Sequence, residues 1–275
     1  MPRRERRNVL AVEPLGPYSL LRLDRGGLDP GTPGQFFMLE APGRLLPRAL
    51  SVCLATAGEL AFLIDPVGPG TRALCSLGAG ETIHLFGPLG NGFRLDVARP
   101  LLVGGGIGMA PLPYLAAALR LPPVVLGFRS EWHAEAAALL PSAEVVVEPA
   151  FVTELIAPGH DVLACGPEPM LRAVGALCPG AQLAWEAPMA CGYGACYGCA
   201  VEIDGVLKRL CVEGPVLASL RQMHPGLSPA ITPRAAASSV ASVATTTDAP
   251  CVLASLGARG RETRGHSPEG RGAAA

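Results

Sequence analysis

The chain has 275 residues, a formal net charge of −1 and 49% hydrophobic residues. That length suits two compact domains plus an appendage, and the balanced charge argues against a nucleic-acid backbone or an anionic membrane surface as partner. The basic start, MPRRERRNVL, is not followed by an unbroken apolar stretch because Glu13, Pro14 and Gly16 interrupt it, so no secretory signal is read and the cytoplasm is the expected compartment.

From Val9 to about Asp96, short apolar runs (SLLRL, GQFFMLE, ALSVCLA, LAFLID, ETIHLF) are separated by Gly- and Pro-rich turns. Many short strands with frequent turns predict an antiparallel barrel or sandwich, with a small β-barrel as first choice. Arg48–Ser51 heads one of these strands, and Val67–Leu77 carries a Gly70-Thr71 step leading into a short helix. With Thr71 as cap, free amides from Gly70 onward and Arg48 as a charged donor, this pair of segments suits a pyrophosphate. Taken alone, each also reads as a solvated arginine and a plain capped turn. GPLGNGF, Gly87–Phe93, marks a rigid bend before the next domain.

From Pro100 to about Trp185 the pattern becomes apolar strand then Ala- and Leu-rich helix: LLVG with MAPLPYLAAALR, VVLGF with EWHAEAAALL, EVVVE with FVTELIA, DVLACG with PEPMLRAVGAL. This alternation predicts a parallel sheet flanked by helices. Leu101–Leu119 carries no charged residue, yet its glycines and Pro111 and Pro113 read as strand, loop and helix start rather than a membrane span. LLVGGGIGMAP runs from a strand through Gly104, Gly105, Gly106, Ile107 and Gly108 into a helix, where a dinucleotide phosphate can approach the backbone. It lacks the G-x-G-x-x-G spacing, since Met109 stands where the third glycine belongs. ACGPEPM places Cys165, Gly166 and Pro167 at the carboxyl edge of the sheet, although Cys165 reads equally as a buried strand residue. His84, His133 and His160 sit in no catalytic motif and are expected in core or surface.

Of nine cysteines, Cys191, Cys196 and Cys199 are separated by four and two residues, and Cys211 follows after eleven more. This is plant-type spacing for a [2Fe–2S] cluster; structural zinc usually takes paired short spacings instead. Gly192, Gly194 and Gly198 give the loop freedom to turn backbone N–H groups toward sulfur. Cys53, Cys75, Cys165, Cys178 and Cys251 are scattered and read as small hydrophobes. Beyond Pro225 no aromatic residue occurs, so residues 225–275 are expected to be disordered.

In this order Arg48-Ala49-Leu50-Ser51, Gly70-Thr71, GPLGNGF, VGGGIGMAP, CGPEPM and the four cysteines resemble the ferredoxin–NADP reductase superfamily. Within it the match is to electron-transfer subunits of class 1B, NAD-linked dihydroorotate dehydrogenases. The resemblance spans roughly residues 8–220. It implies an FAD-binding barrel over 1–98, an NAD-binding α/β domain over 99–185 and a [2Fe–2S] module over 186–224. FAD would meet Arg48, Ala49, Leu50, Ser51, Leu63, Ile64, Asp65, Gly70 and Thr71. NAD would meet Gly104–Gly108, Cys165, Gly166 and Pro167; Cys191, Cys196, Cys199 and Cys211 would hold the cluster. The implied partner is an FMN-containing catalytic subunit, two copies of each chain assembling, with electrons passing from FMN through cluster and FAD to NAD for pyrimidine synthesis. Ala49 stands where relatives usually carry proline. The rival readings are a flavin and iron–sulfur subunit of a hydrogenase, transhydrogenase or sulfide-linked reductase, and a non-catalytic scaffold. Cys191 favours the pyrimidine enzyme, since some of those relatives place aspartate there. Arg129 leaves NAD and NADP both open.

Overall fold

In the computed structural model, which describes residues 3–203 and 205–218, the first strand begins well before the first apolar run at Val9. β1 (Arg3–Leu15) alternates exposed and half-buried positions from Arg4 to Asn8, the two-residue period of a strand with one face toward solvent. Ion pairs let it do so without hydrophobic side chains: Arg4 makes a bidentate contact with Glu40 at 2.6 and 2.7 Å, and Arg7 pairs with Glu5. β2 (Tyr18–Asp24), β3 (Phe36–Leu39), β4 (Arg48–Ser51), β5 (Leu54–Ala55), β6 (Glu59–Ile64), the helix α1 (Pro69–Cys75) and β7 (Thr82–Leu89) follow.

These strands form one antiparallel sheet in the order β4-β3-β7-β1-β2-β6-β5. β1 joins its halves, pairing with β7 through Arg3–Asn8 and with β2 through Val9–Leu15. β4 also packs against β6, so the sheet curls around a core of Leu21, Leu23, Phe37, Leu39, Phe62 and Leu85. Each such fully buried side chain contributes about 1.5–3 kcal/mol.

The second sheet is built from β8 (Pro100–Gly105), α2 (Leu112–Ala118), β9 (Val124–Phe128), α3 (Glu131–Ala134), β10 (Glu144–Val147), β11 (Asp161–Cys165), α4 (Glu168–Leu177) and β12 (Gln182–Ala184). After a hairpin of β13 (Ala200–Ile203) and β14 (Val206–Arg209), β15 (Val216–Ala218) returns and pairs antiparallel with β12. The order is β10-β9-β8-β11-β12-β15, with parallel pairing from β10 to β12. Strands buried on both faces explain the unbroken apolar runs LLV, VVL and VLAC. The chain moves outward from β8 to β10 and then returns to the other side of β8, so the switch point lies between β8 and β11. In open α/β sheets, ligands bind in the crevice outside the strand ends at such a point.

Several expectations change here. Within the predicted cysteine module, β15 completes the neighbouring sheet by pairing with β12. EWHAEAAALL forms one α-helical turn, Glu131–Ala134, before tightening into a 3-10 turn over Glu135–Leu139, and FVTELIA gives only a 3-10 turn, Val152–Leu155. Pro149 and Pro158 close off the latter run before a helix can nucleate. Leu101–Leu119 comprises a strand, a 3-10 turn and a short helix, and no helix among the described residues is long and apolar enough to cross a membrane. The expected disorder of 225–275 and the reading of Cys251 lie outside the described residues.

One apolar cluster runs from Tyr18, Leu20 and Leu63 of the first sheet into Leu112, Leu126 and Ala136 of the second. The β1–β2 turn reinforces it: Gly16, at φ +58°, lies so close to the Trp132 carbonyl that any side chain would collide with it.

Candidate functional site

Arg48 and Gly70, 22 residues apart in sequence, are in contact: a methyl group on Gly70 would strike the Arg48 guanidinium. Arg48 is steadied by donating from Nη1 to the Leu46 and Pro47 carbonyls at 2.8 and 3.2 Å. The cap of α1 differs from expectation. Gly68, extended at φ −130°, is the cap, because Pro69 supplies a first helical residue with preset φ. Thr71 sits one turn in, where its hydroxyl donates to the Gly68 carbonyl at 3.1 Å and accepts from the Gly68 amide at 3.0 Å. Ala49, Leu50 and Ser51 are half-buried in β4, whereas Leu63 and Ile64 are buried in the core, so of that trio only the Asp65 side chain reaches open space.

That space is a cavity of about 660 Å³ at the carboxyl edge of the parallel sheet. Gly105, Gly106, Ile107 and Pro167 line it from one side and Tyr18 and Asp65 from the other. The remaining predicted residues stand behind its wall. Gly104 pairs in register with Cys165, and a Cβ there would lie 2.8 Å from both Leu112 and Leu126. Gly108 packs directly on the Gly166 backbone. The bare backbone of Gly104 leaves room for the Leu112 and Leu126 side chains, and that of Gly108 lets two loops meet closely at the cavity edge. Cys165 is buried, and burial, with the charge of Glu186, pushes its thiol well above the ordinary range.

Sequence reasoning missed Tyr18 and His133. His133 is 8% exposed, lines the cavity and meets the Tyr18 ring edge-on at 5.9 Å. Arg129 donates from Nε to His133 Nε2 at 2.7 Å, so the other ring nitrogen carries the hydrogen and faces Ser130 Oγ at 2.7 Å. Burial pushes the Tyr18 hydroxyl up to about 12, with Asp65 adding to the shift and Arg129 opposing it. Only the short spacing from Arg129 to His133 hinted at this set, and that spacing is common.

The cysteine loop is folded around sulfur. Gly194 donates its amide to Cys211 Sγ at 3.1 Å and Gly198 to Cys196 Sγ at 3.4 Å. Burial alone would raise the Cys191 thiol, but amides of Tyr193, Cys196 and Ala195 and the Cys196 side chain outweigh it and hold Cys191 down at about 6. Cys199 and Cys211 lie 3.2 Å apart, and burial together with that neighbour pushes Cys211 up to about 12. The four sulfurs thus form two pairs, Cys191 with Cys196 and Cys199 with Cys211. Among the described residues no three His, Cys, Asp or Glu side chains converge to hold one metal ion. Two cysteine pairs ringed by amides fit a two-iron cluster, which needs two thiolates per iron and donors toward its sulfides, better than a single tetrahedral zinc. Gly192 and Gly194, at φ +78° and +86°, make the required turns. Arg209 buttresses the loop by donating to the Gly194 carbonyl at 3.3 Å, pairing with Glu213 at 3.1 Å and lying over the Tyr197 ring.

Residues 186–220 match the family described as the iron–sulfur cluster binding domain of dihydroorotate dehydrogenase B. The chain is 34% identical over 235 residues to the "Dihydroorotate dehydrogenase B (NAD(+)), electron transfer subunit" of Clostridium perfringens, covering 78% of this chain and 94% of that one. The chain belongs to the family of dihydroorotate dehydrogenase B electron-transfer subunits. A family member from a Geobacillus species is 36% identical over 249 residues, covering 78% of this chain and 97% of its own. Among solved structures, an NADH-dependent reduced ferredoxin–NADP oxidoreductase superposes with a TM-score of 0.67 at 23% identity, covering 78% of this chain and 88% of its own. The two sheets described above are therefore a ferredoxin–NADP reductase type of fold, to which the family adds its cysteine module.

Proposed function

We propose that this chain is the electron-transfer subunit of an NAD-linked dihydroorotate dehydrogenase, carrying electrons from a catalytic subunit to NAD+ through a [2Fe–2S] cluster and FAD. The observation that carries the reading is the two-pair cysteine loop ringed by amides, on a chain whose parallel sheet opens a cavity at its switch point. Residues 1–98 serve as the FAD-binding barrel, 99–185 as the NAD-binding domain and 186–224 as the cluster module. Cys191 and Cys196 hold one iron, Cys199 and Cys211 the other.

Arg48 places its guanidinium beside Gly70, where a phosphate of FAD can take charge-assisted hydrogen bonds. Ser51 ends β4 and Asp65 follows β6, positions from which both would meet a bound flavin. On the opposite wall Gly105, Gly106 and Ile107 leave room for the dinucleotide backbone, and Pro167 closes the edge. A bound flavin exchanges electrons singly with the cluster and in pairs with nicotinamide, the conversion that carriers of these two kinds require. The chain's own part is to hold the three sites in one body, keep water from the reacting edge and tune the cluster through its amides. The partner is an FMN-containing subunit that oxidises dihydroorotate to orotate, in a complex of two copies of each chain, in the cytoplasm.

The test is an anaerobic absorption titration of the purified chain, with and without the catalytic subunit. Flavin and cluster bands should bleach with NADH in either case, and with dihydroorotate only when the partner is present. Bleaching by NADH but never by dihydroorotate would assign the chain to another redox complex.

A further inference from the structure

The cavity wall where β9 and β10 end holds an arginine and a carboxylate that the electron path does not use. Arg129 follows β9 and lies 21 residues beyond Gly108. That is about the distance at which a dinucleotide-binding βαβ unit meets the adenosine ribose, where a carboxylate takes the 2′-hydroxyl of NAD and an arginine the 2′-phosphate of NADP. By sequence position alone Arg129 would read NADP. In the structure it is engaged elsewhere. Its Nε donates to His133 Nε2 at 2.7 Å, so that ring nitrogen is an acceptor and the imidazole is neutral. His133 is itself held edge-on by the Tyr18 and Trp132 rings at 5.9 and 5.8 Å, and Gly16 of the first sheet packs on the Trp132 carbonyl. Glu148 donates its amide to the Phe128 carbonyl at 3.0 Å and continues the register of Val147 with Phe128, which sets it beside Arg129 on the cavity wall. No ion pair joins the two. Among the described residues the side chains of Glu148 and Asp65 take no hydrogen bond or ion pair, so two unpaired carboxylates line the cavity against one guanidinium already engaged. Phe151, exposed and three residues beyond Glu148, offers a ring face to a purine.

Given the NAD-binding role proposed for this cavity, we infer that Glu148 and His133 set the choice of nicotinamide nucleotide, Glu148 by accepting from the adenosine ribose hydroxyls and His133 by withholding Arg129 from a 2′-phosphate. A ribose diol brings two donors and no charge, which suits a carboxylate without another partner. A 2′-phosphate carries about −1.5 to −2 at pH 7 and brings acceptors only. Beside Glu148 it meets a like charge, Asp65 adds to the repulsion from the opposite side of the cavity, and Arg129 can answer it only by leaving its imidazole partner. One attraction and one repulsion thus separate the two affinities. Glu148 touches the nucleotide, whereas His133 acts through Arg129 and is a positioning residue.

The experiment is calorimetric titration of the flavin- and cluster-loaded complex with NAD+ and with NADP+, which reads binding without turnover, followed by NADH– and NADPH–ferricyanide kinetics. Wild type should bind NAD+ at least about tenfold more tightly than NADP+. In Glu148→Gln, NAD+ affinity should fall about threefold or more while NADP+ affinity rises by a similar factor. His133→Leu should raise NADP+ affinity about tenfold, the equivalent of one charged hydrogen bond, and adding Arg129→Met should remove that gain. The KM for NADH in Glu148→Gln should rise with the dissociation constant, as loss of an interaction shared by ground and transition states requires. Glu148 is exposed, so Glu148→Gln carries the test where His133→Leu fails to fold. An unaltered NAD+ to NADP+ ratio in Glu148→Gln, a wild type that binds NADP+ as tightly as NAD+, or a tenfold loss of NADP+ affinity in Arg129→Met alone would each overturn these roles while leaving the redox assignment intact. A flavin-loaded wild type that binds neither nucleotide would overturn the proposed function as well.

Discussion

Gly108 has no room for a methyl group, because the obstacle is the Gly166 backbone rather than a movable side chain. Gly108→Ala should therefore cost about 1–3 kcal/mol by overpacking and raise KM for NADH as the two loops part, measured by thermal unfolding and steady-state kinetics. Cys211→Ser removes one thiolate of the second pair and leaves Arg48 and Gly70 untouched. It should abolish the cluster absorption while flavin bands and NADH–ferricyanide activity persist; parallel loss of the flavin would contradict separate sites. Glu186 carries a pH signature. Its raised native pKa means the folded chain binds more protons than the unfolded one between the two values, so stability falls as pH rises through that window. Glu186→Gln escapes this loss, so its unfolding midpoint should exceed that of wild type near about pH 8 and converge with it below about pH 4, as read by calorimetry.

At the scale of elements, α1 and β4 make one device, with Arg48 reaching across to Gly70. Gly70→Ala displaces the guanidinium without touching the core, so FAD affinity should fall by about tenfold or more, the equivalent of one charged hydrogen bond; fluorescence titration of the flavin-free chain measures it. Elements with a strong period or motif were legible beforehand. The runs LLV, VVL and VLAC announced a parallel sheet, and the x4–x2 cysteine spacing announced its loop. What stayed hidden had no local signal. Arg3–Asn8 forms a strand through ion pairs whose partners lie far along the chain. β15 is three residues that join a sheet only because the cysteine module brings them back. Gly104 and Gly108 read as phosphate contacts, and no local signal told that a Cβ at Gly104 would strike Leu112 and Leu126 and one at Gly108 the Gly166 backbone. Tyr18 and His133 reach the site only through tertiary structure.

At the scale of the whole molecule, both sheets share an apolar cluster through Tyr18, Leu20, Leu112 and Leu126, and the cavity opens where they meet. The cysteine loop is tied back to the same body by Asn91, whose side chain donates to the Val212 and Glu213 carbonyls at 3.2 and 3.0 Å. This arrangement makes the cluster part of the reductase body rather than a tethered accessory. The proposed function requires that Cys191, Cys196, Cys199 and Cys211 hold a two-iron cluster in electronic contact with a nicotinamide-reducible flavin. Its most direct test is electron paramagnetic resonance of anaerobically purified protein reduced with NADH, coupled to iron, zinc and acid-labile sulfide analysis of the same sample. Equal iron and sulfide, two of each per chain, are expected, with a [2Fe–2S] signal that NADH alone produces. Stoichiometric zinc without sulfide, or a cluster that NADH cannot reduce in flavin-loaded protein, would contradict it.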